Sequence, residues 1–146
     1  MIRTRHLALG CTVALALATA ACASSSSSSS SSAASGGKSI NATEHDFEIA
    51  LDQSTVASGE ITFSITNNGP STHEFVVVKT DDAPDDLPVE NGVVPEDGLD
   101  VVGEQEEVAP STTATLSLTL PAGQYVIMCN ITGHYEAGMH TGLTVS

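Results

Sequence analysis

Apolar and polar side chains alternate at every second position in several short segments of this chain. The segment EITFSIT places Ile61, Phe63 and Ile65 on one face and threonine or serine on the other, and TLSLTL repeats the pattern with leucines. Successive side chains of a strand point to opposite sides, so this period of two is the pattern of a β-strand with one buried face. No segment has a sustained apolar stripe at helical spacing.

Four further segments are predicted as strands: DFEIAL, EFVVVK, YVIMC and GLTV. In the first of them, Phe47, Ile49 and Leu51 are expected to face the core. The turn-forming stretches ASG, NNGPS and PAG separate these strands. Short strands divided by turns predict an all-β fold, a β-sandwich of Greek-key type.

Residues 81–110 do not fit this pattern. They contain four of the six prolines and many of the acidic residues. The segment is too long for a plain hairpin loop, so it is either an ordered excursion or a partly mobile flap. Its LDVVGEQEEV stretch could form a short strand or a helical turn.

The first residues are typical of an export signal. Arg3 and Arg5 precede an apolar run from Leu7 to Ala21, which is shorter than the ~20 residues of a bilayer span and suits a signal peptide over residues 1–21. The following ATAAC resembles the lipobox of bacterial lipoproteins, in which the cysteine, here Cys22, is acylated. Thr19 stands where a leucine is favoured, and an ordinary signal peptide is the alternative.

A serine-rich stretch follows Cys22. Its run of nine serines and the AASGG after it offer nothing apolar to bury, so residues 22–39 are predicted to be a flexible, lipid-anchored linker. Residues 40–146 are then one domain. We expect an exported lipoprotein on the outer face of the cytoplasmic membrane, anchored to the membrane through lipid.

Charge and cysteine content narrow the possible functions. After residue 37 the chain has two lysines against 18 acidic residues, a balance that argues against nucleic acid and favours basic partners or cations. Cys11 leaves with the signal, and Cys22 is removed or acylated. Cys129 therefore has no disulfide partner, and a free thiol in an oxidising location is a liability unless something occupies it.

Potential metal ligands are concentrated in CNITGHYEAGMHT, residues 129–141. Cysteine, histidine and methionine follow one another here as C-x4-H-x4-M, and His73 opens the predicted strand HEFVVV. Thiolate and thioether sulfurs are soft ligands that suit copper, and two imidazoles with one thiolate and a weak axial thioether define an electron-transfer copper site. Zinc is the main rival, but zinc sites rarely recruit methionine and usually show paired spacings such as C-x2-C.

The segments STVASGEITFSITNNGPSTHEF and LPAGQYVIMCNITGHYEAGMHTGLTV resemble the cupredoxin family, and the ligand loop is similar to those of rusticyanin and sulfocyanin. The resemblance covers nearly all of the domain. It implies that His73, Cys129, His134 and Met139 are the ligands of one type 1 copper ion. His140 adjoins Met139 and should point the opposite way, so its role stays open.

The same resemblance implies details around the site. The backbone amides around Asn130 and of the residue after His73 are expected to donate to the cysteine sulfur. The imidazole of His134 is expected to lie in an apolar surface patch, with Pro70, Ala137 and Gly138 nearby. His45 is interpreted as a surface residue.

The function that follows is a blue copper protein, not an enzyme. It would carry single electrons between redox partners such as cytochromes or a terminal oxidase, and we expect a monomer. Three rivals stay open: a periplasmic or cell-wall copper-binding or delivery protein, a subunit of a copper enzyme, and an adhesion module with zinc or no metal. Methionine-rich or histidine-rich tracts would favour copper delivery, and the sequence has none.

Overall fold

The computed structural model describes residues 37–146. These residues form nine β-strands and no helix, so the predicted all-β sandwich is confirmed, and none of them belongs to a helix that could cross a membrane. The predicted signal peptide, Cys22 and nearly all of the predicted linker lie outside the described residues. The strands are β1 Lys38–His45, β2 Glu48–Leu51, β3 Thr55–Val56, β4 Gly59–Asn67, β5 His73–Lys79, β6 Asp100–Val108, β7 Thr113–Leu120, β8 Gly123–Met128 and β9 His140–Val145.

The strands pair into two sheets. One has the order β2-β1-β4-β7 and the other the order β3-β9-β8-β5-β6. Strand β1 runs parallel to β4, and β3 runs parallel to β9, whereas the other pairs are antiparallel. In the five-stranded sheet, β5 and β8 lie side by side in the interior although they are distant in sequence.

The alternation in β4 and β7 corresponds to the two faces of the first sheet. Ile61, Phe63 and Ile65 are fully buried between the sheets. On the outer face, hydroxyls pair across the strands: Thr62 Oγ1 lies 2.9 Å from Ser117 Oγ. Outward hydroxyl pairs and inward apolar residues both fix the register, because a slip of one residue would exchange the two faces.

Residues 80–99 cover the outer face of the second sheet. Leu87 and Val94 pack there in a second apolar cluster with residues of β5 and β8. Since β5 and β8 are therefore buried on both faces, their sequences FVVV and YVIM are continuous apolar runs. The segment is an ordered excursion, and the LDVVGEQEEV stretch is largely strand β6.

At the N-terminal edge, one sequence expectation was wrong and one strand was missed. Phe47 lies in the turn between β1 and β2 and is 45% exposed, so it does not face the core with Ile49. Strand β1 was not predicted, because its inward positions hold Ile40, Ala42 and Glu44. Alanine and glutamate give no apolar alternation, and the strand is defined by its parallel pairing with β4.

Candidate metal centre

Three predicted ligands meet at one end of the sandwich. His73 opens β5, Cys129 directly follows β8, and His134 lies in the loop between β8 and β9. Cys129 Sγ is 3.3 Å from His134 Nδ1 and 4.0 Å from His73 Nδ1, and the two Nδ1 atoms are 3.3 Å apart. The three donor atoms thus lie within 4.8 Å of one another, as ligands around a single ion would.

The fourth predicted ligand, Met139, closes the loop. The Cys129 amide donates to the Met139 carbonyl oxygen at 3.0 Å, and the Met139 amide donates to the His134 carbonyl oxygen at 3.0 Å. The Met139 side chain is fully buried in the same core cluster as Cys129. His140 packs instead against the ring of Tyr135, with ring centroids 4.8 Å apart.

The ligand loop is built from tight turns. The Ala137 amide donates to the Gly133 carbonyl oxygen at 3.1 Å, and the Gly138 amide donates to that of Tyr135 at 2.9 Å. Gly133 and Gly138 have φ values of 81° and 106°, a region in which a β-carbon is disfavoured. The glycine before His134 and the one before Met139 thereby allow the chain to turn back twice between the ligands.

Burial dominates the electrostatics of Cys129. The thiol is fully buried, which raises its pKa to about 11, although the backbone amides of Glu74 and Ile131 act in the opposite direction. The Glu74 amide donates to Sγ at 3.3 Å, as expected for the residue after His73. Without a metal the sulfur keeps its proton at neutral pH, and a bound cation would replace that proton.

The side chain of Asn130 has a different role. Its amide group exchanges two hydrogen bonds with the backbone of Val94, at 2.8 and 2.9 Å, and it donates to Glu96 at 2.9 Å. The Gly133 amide donates to the Gly92 carbonyl oxygen at 2.7 Å, and the Tyr135 hydroxyl donates to that of Pro84 at 2.7 Å. The acidic excursion is therefore fastened to the ligand loop.

His73 has a partner that sequence reasoning missed. Its Nε2 lies 2.9 Å from Asp46 Oδ1, and Ser71 Oγ donates to Asp46 Oδ2 at 2.6 Å. The hydrogen bond from Ser71 is the largest cause of the lowered pKa of Asp46, followed among the lowering effects by its contacts with His73. No local pattern links Asp46 to His73, because Asp46 lies in the turn between β1 and β2 of the first sheet and His73 opens β5 of the second.

The turn before His73 is clamped by a buried asparagine. Asn67 is fully buried, and its Nδ2 donates to the carbonyl oxygens of Ser71 and Val108 at 2.7 Å each. Its Oδ1 accepts the Gly69 amide at 2.8 Å. The N-x-G-x-x-x-H segment is thus a turn whose shape is set by Asn67 and which presents His73 to the site.

His134 is the ligand nearest to solvent. It is half-buried, and burial, followed by the neighbouring His73, lowers its pKa. The ring of Phe47 packs edge-on against it, with centroids 4.9 Å apart. Pro70, Ala137 and Gly138 are exposed, as is His45. Phe47 was assigned to the core from its alternation with Ile49, but its ring lies at the surface beside His134.

The donor atoms fit copper. One buried sulfur and two imidazole nitrogens converge, and a buried thioether closes the same loop, a set that a zinc site rarely uses. The carboxylate of Asp46 lies on the side of the His73 ring that faces away from the other donors. None of the three converging donor atoms in the described residues belongs to a carboxylate.

The comparisons with known proteins agree with this geometry. A family model described as a cupredoxin-like domain matches residues 12–145, so the chain belongs to the cupredoxin-like family. No protein among the curated sequences matches the chain.

Several solved structures share the fold. An auracyanin from Roseiflexus castenholzii is 24% identical, with a TM-score of 0.56 over 75% of this chain and 98% of that chain. Auracyanin A, a blue copper protein from Chloroflexus aurantiacus, is 20% identical, with a TM-score of 0.55 over 76% of this chain and 100% of that one. Rusticyanin from Thiobacillus ferrooxidans is 16% identical, with a TM-score of 0.55 over 75% and 79%.

Family and geometry together identify the site. In a cupredoxin-like domain, His73, Cys129, His134 and Met139 have the arrangement of a type 1 copper site.

Proposed function

We propose that this protein carries single electrons between redox partners at the cell envelope, as a blue copper protein and not as an enzyme. The observation that carries the proposal is a buried thiol and two imidazoles within 4.8 Å of one another at the end of a rigid sandwich. Bound copper would supply a one-electron couple between its cupric and cuprous states. The protein has to hold the ligands still and give electrons a route to the surface.

The ligands are held before any metal arrives. His73 is fixed by strand β5 and by Asp46, and Cys129 is fixed by β8, by the Glu74 amide and by its backbone bond to Met139. Such hydrogen bonds orient ligands and tune a metal. A ligand set that does not rearrange between two charge states suits electron transfer better than the release of the ion.

His134 provides the route to the surface. Its ring is half-buried and packs against the exposed Phe47, and the exposed Ala137 and Gly138 belong to the same loop, while the exposed Pro70 lies in the turn before His73. An apolar patch around the most accessible ligand would allow a partner to approach closely without desolvating charges. We propose this patch as the point of electron entry and exit.

An acidic cluster lies beside the site. Burial raises the pKa of Glu74, the residue after His73, and the nearby charges of Glu96, Glu104 and Glu106 raise it further. These four residues form the acidic cluster. We propose that it attracts a basic redox partner, such as a cytochrome, and orients it toward the apolar patch.

Electron exchange with a basic cytochrome c tests this function. Stopped-flow mixing of the reduced copper protein with oxidised cytochrome should transfer one electron per copper. The rate should fall at least ~10-fold as ionic strength rises from about 0.01 M to about 0.15 M, because the Debye length shrinks from about 30 to about 8 Å. Release of copper to a chelator faster than electron exchange would instead favour copper delivery.

Two double variants distinguish the effect of the acidic cluster on the electron-transfer rate from the effect of net charge. Replacing Glu104 and Glu106 by glutamine should lower the low-salt rate and flatten its salt dependence. The matched control replaces Asp81 and Asp82 by asparagine; they follow the far end of β5, and at ~3.3 Å per residue that strand is about 20 Å long from His73 to Lys79. Equal effects from both pairs would contradict a docking role for the cluster.

We propose that the protein acts outside the cytoplasmic membrane, tethered by acylated Cys22. The apolar run before Cys22 and the serine-rich stretch after it carry this proposal. Expressed in a bacterial host, the chain should fractionate with membranes, and Cys22→Ala should leave the copper domain soluble or in precursor form. Mass spectrometry of an unmodified mature N-terminus downstream of Cys22 would contradict it.

A further inference from the structure

We propose that Asp46 is a positioning residue for the copper ligand His73, and that its carboxylate lowers the reduction potential of the site. This inference rests on the proposed function, because a potential exists only when copper is bound. The part that concerns the orientation and tautomer of His73 can be tested without metal.

The geometry selects one tautomer of His73. The ring is fully buried, and its Nε2 lies 2.9 Å from Asp46 Oδ1. A neutral imidazole has one N–H, so a proton donated from Nε2 to the carboxylate leaves Nδ1 as the acceptor. Nδ1 is the atom that faces Cys129 Sγ and His134 Nδ1.

Asp46 is itself held in place. Ser71 Oγ donates to Oδ2 at 2.6 Å, and the Asp46 side chain is only 21% exposed. Gly69 leaves room for the pair, since a β-carbon there would lie 2.6 Å from Asp46 Oδ1 and 3.2 Å from His73 Nε2. The carboxylate therefore occupies a space formed by the turn that Asn67 clamps.

The charge of Asp46 gives the direction of the effect. A carboxylate hydrogen-bonded to a ligand imidazole makes the ligand more basic and favours the more positively charged metal. The cupric site carries one more positive charge than the cuprous site, so Asp46 stabilises it more. Removing the charge should raise the reduction potential.

Asp46→Asn and Asp46→Ala test the proposal. Asparagine keeps an acceptor for Nε2–H but loses the charge, whereas alanine loses both. With Asp46→Asn we expect the ratio of cupric to cuprous affinity to fall on the order of 10-fold, which raises the potential by about 59 mV. In the copper-free protein, ¹⁵N NMR should show Nε2–H for His73 in the wild type and in Asp46→Asn, and a mixture of tautomers in Asp46→Ala.

Asp52→Asn is the matched control. It removes one negative charge from a carboxylate that is hydrogen-bonded to Asn41 and not to a ligand. Potentials of Asp46→Asn and Asp52→Asn that shift equally would overturn the electrostatic part of the proposal. An unchanged His73 tautomer in Asp46→Ala, or in Asp46→Leu if the alanine variant fails to fold, would overturn the positioning part, because neither side chain can accept the Nε2 proton. A wild-type protein that never turns blue with cupric salt would instead refute the proposed function.

Discussion

Cys129→Ser should abolish the visible absorption of the copper-loaded protein. The colour of such a site arises from charge transfer between a thiolate sulfur and copper, and Cys129 is the one free cysteine among residues 37–146. A serine hydroxyl fills nearly the same space but is a hard ligand that gives no such transition. Titration of the copper-free variant with cupric salt, followed by absorption spectroscopy, should show complete loss of the band.

His140→Gln serves as the control for this experiment. His140 adjoins Met139 but packs on Tyr135, so its replacement should leave the band in place. If Cys129→Ser kept the wild-type colour, or if His140→Gln abolished it in a folded protein, the ligand assignment would be wrong. Circular dichroism of both variants establishes that the fold is retained.

Local sequence patterns were sufficient to predict the sandwich and the ligand loop. Strands β4 and β7 alternate because one face is buried and the other pairs hydroxyls across the sheet. The spacing from Cys129 to Met139 encodes a loop whose turns depend on two glycines, so the ligand order is visible in one continuous segment. His73 was a candidate because it opens a predicted strand, and the resemblance to a family implied its ligand role, since no local pattern connects it to that loop.

The residues that support the ligands could not be predicted from local sequence patterns. Asp46 contacts His73 from the turn between β1 and β2, far from His73 in sequence, and β1 has too few apolar positions to be recognised as a strand. Phe47 followed the alternation of DFEIAL, but the turn after β1 places its ring against His134 instead. The excursion over residues 81–99 is held by hydrogen bonds to Asn130 and Tyr135. These residues are far from the excursion in sequence, so no local pattern predicts the contacts.

Glu44 is the second residue with a large expected effect, through stability and not colour. It lies on β1 and is fully buried, with neither carboxylate oxygen hydrogen-bonded within the described residues. Burial raises its pKa from 4.5 to about 8. A charged group without partners in a core is costly, so at neutral pH Glu44 is held in its neutral form.

The sign of the pH effect follows from proton binding. Between pH 4.5 and about 8 the folded protein keeps the Glu44 proton and the unfolded chain has released it. The contribution of protonated Glu44 to the free energy of unfolding is therefore complete below pH 4.5, and it is lost as the pH rises through 8. At ~1.4 kcal/mol per pH unit, the loss between pH 5 and pH 8 is on the order of 4 kcal/mol.

Glu44→Gln should remove this pH dependence, because a neutral amide fills the same space and does not titrate. Urea unfolding of the copper-free protein should give similar stabilities for wild type and variant near pH 5, with the variant more stable near pH 8 by a few kcal/mol. Glu48→Gln, at an exposed position on the neighbouring strand β2, changes the net charge equally and should not reproduce the effect. A wild-type curve parallel to that of Glu44→Gln across this range would mean that water or a neighbouring group solvates the carboxylate, and that the interior of β1 is not as dry as its burial indicates.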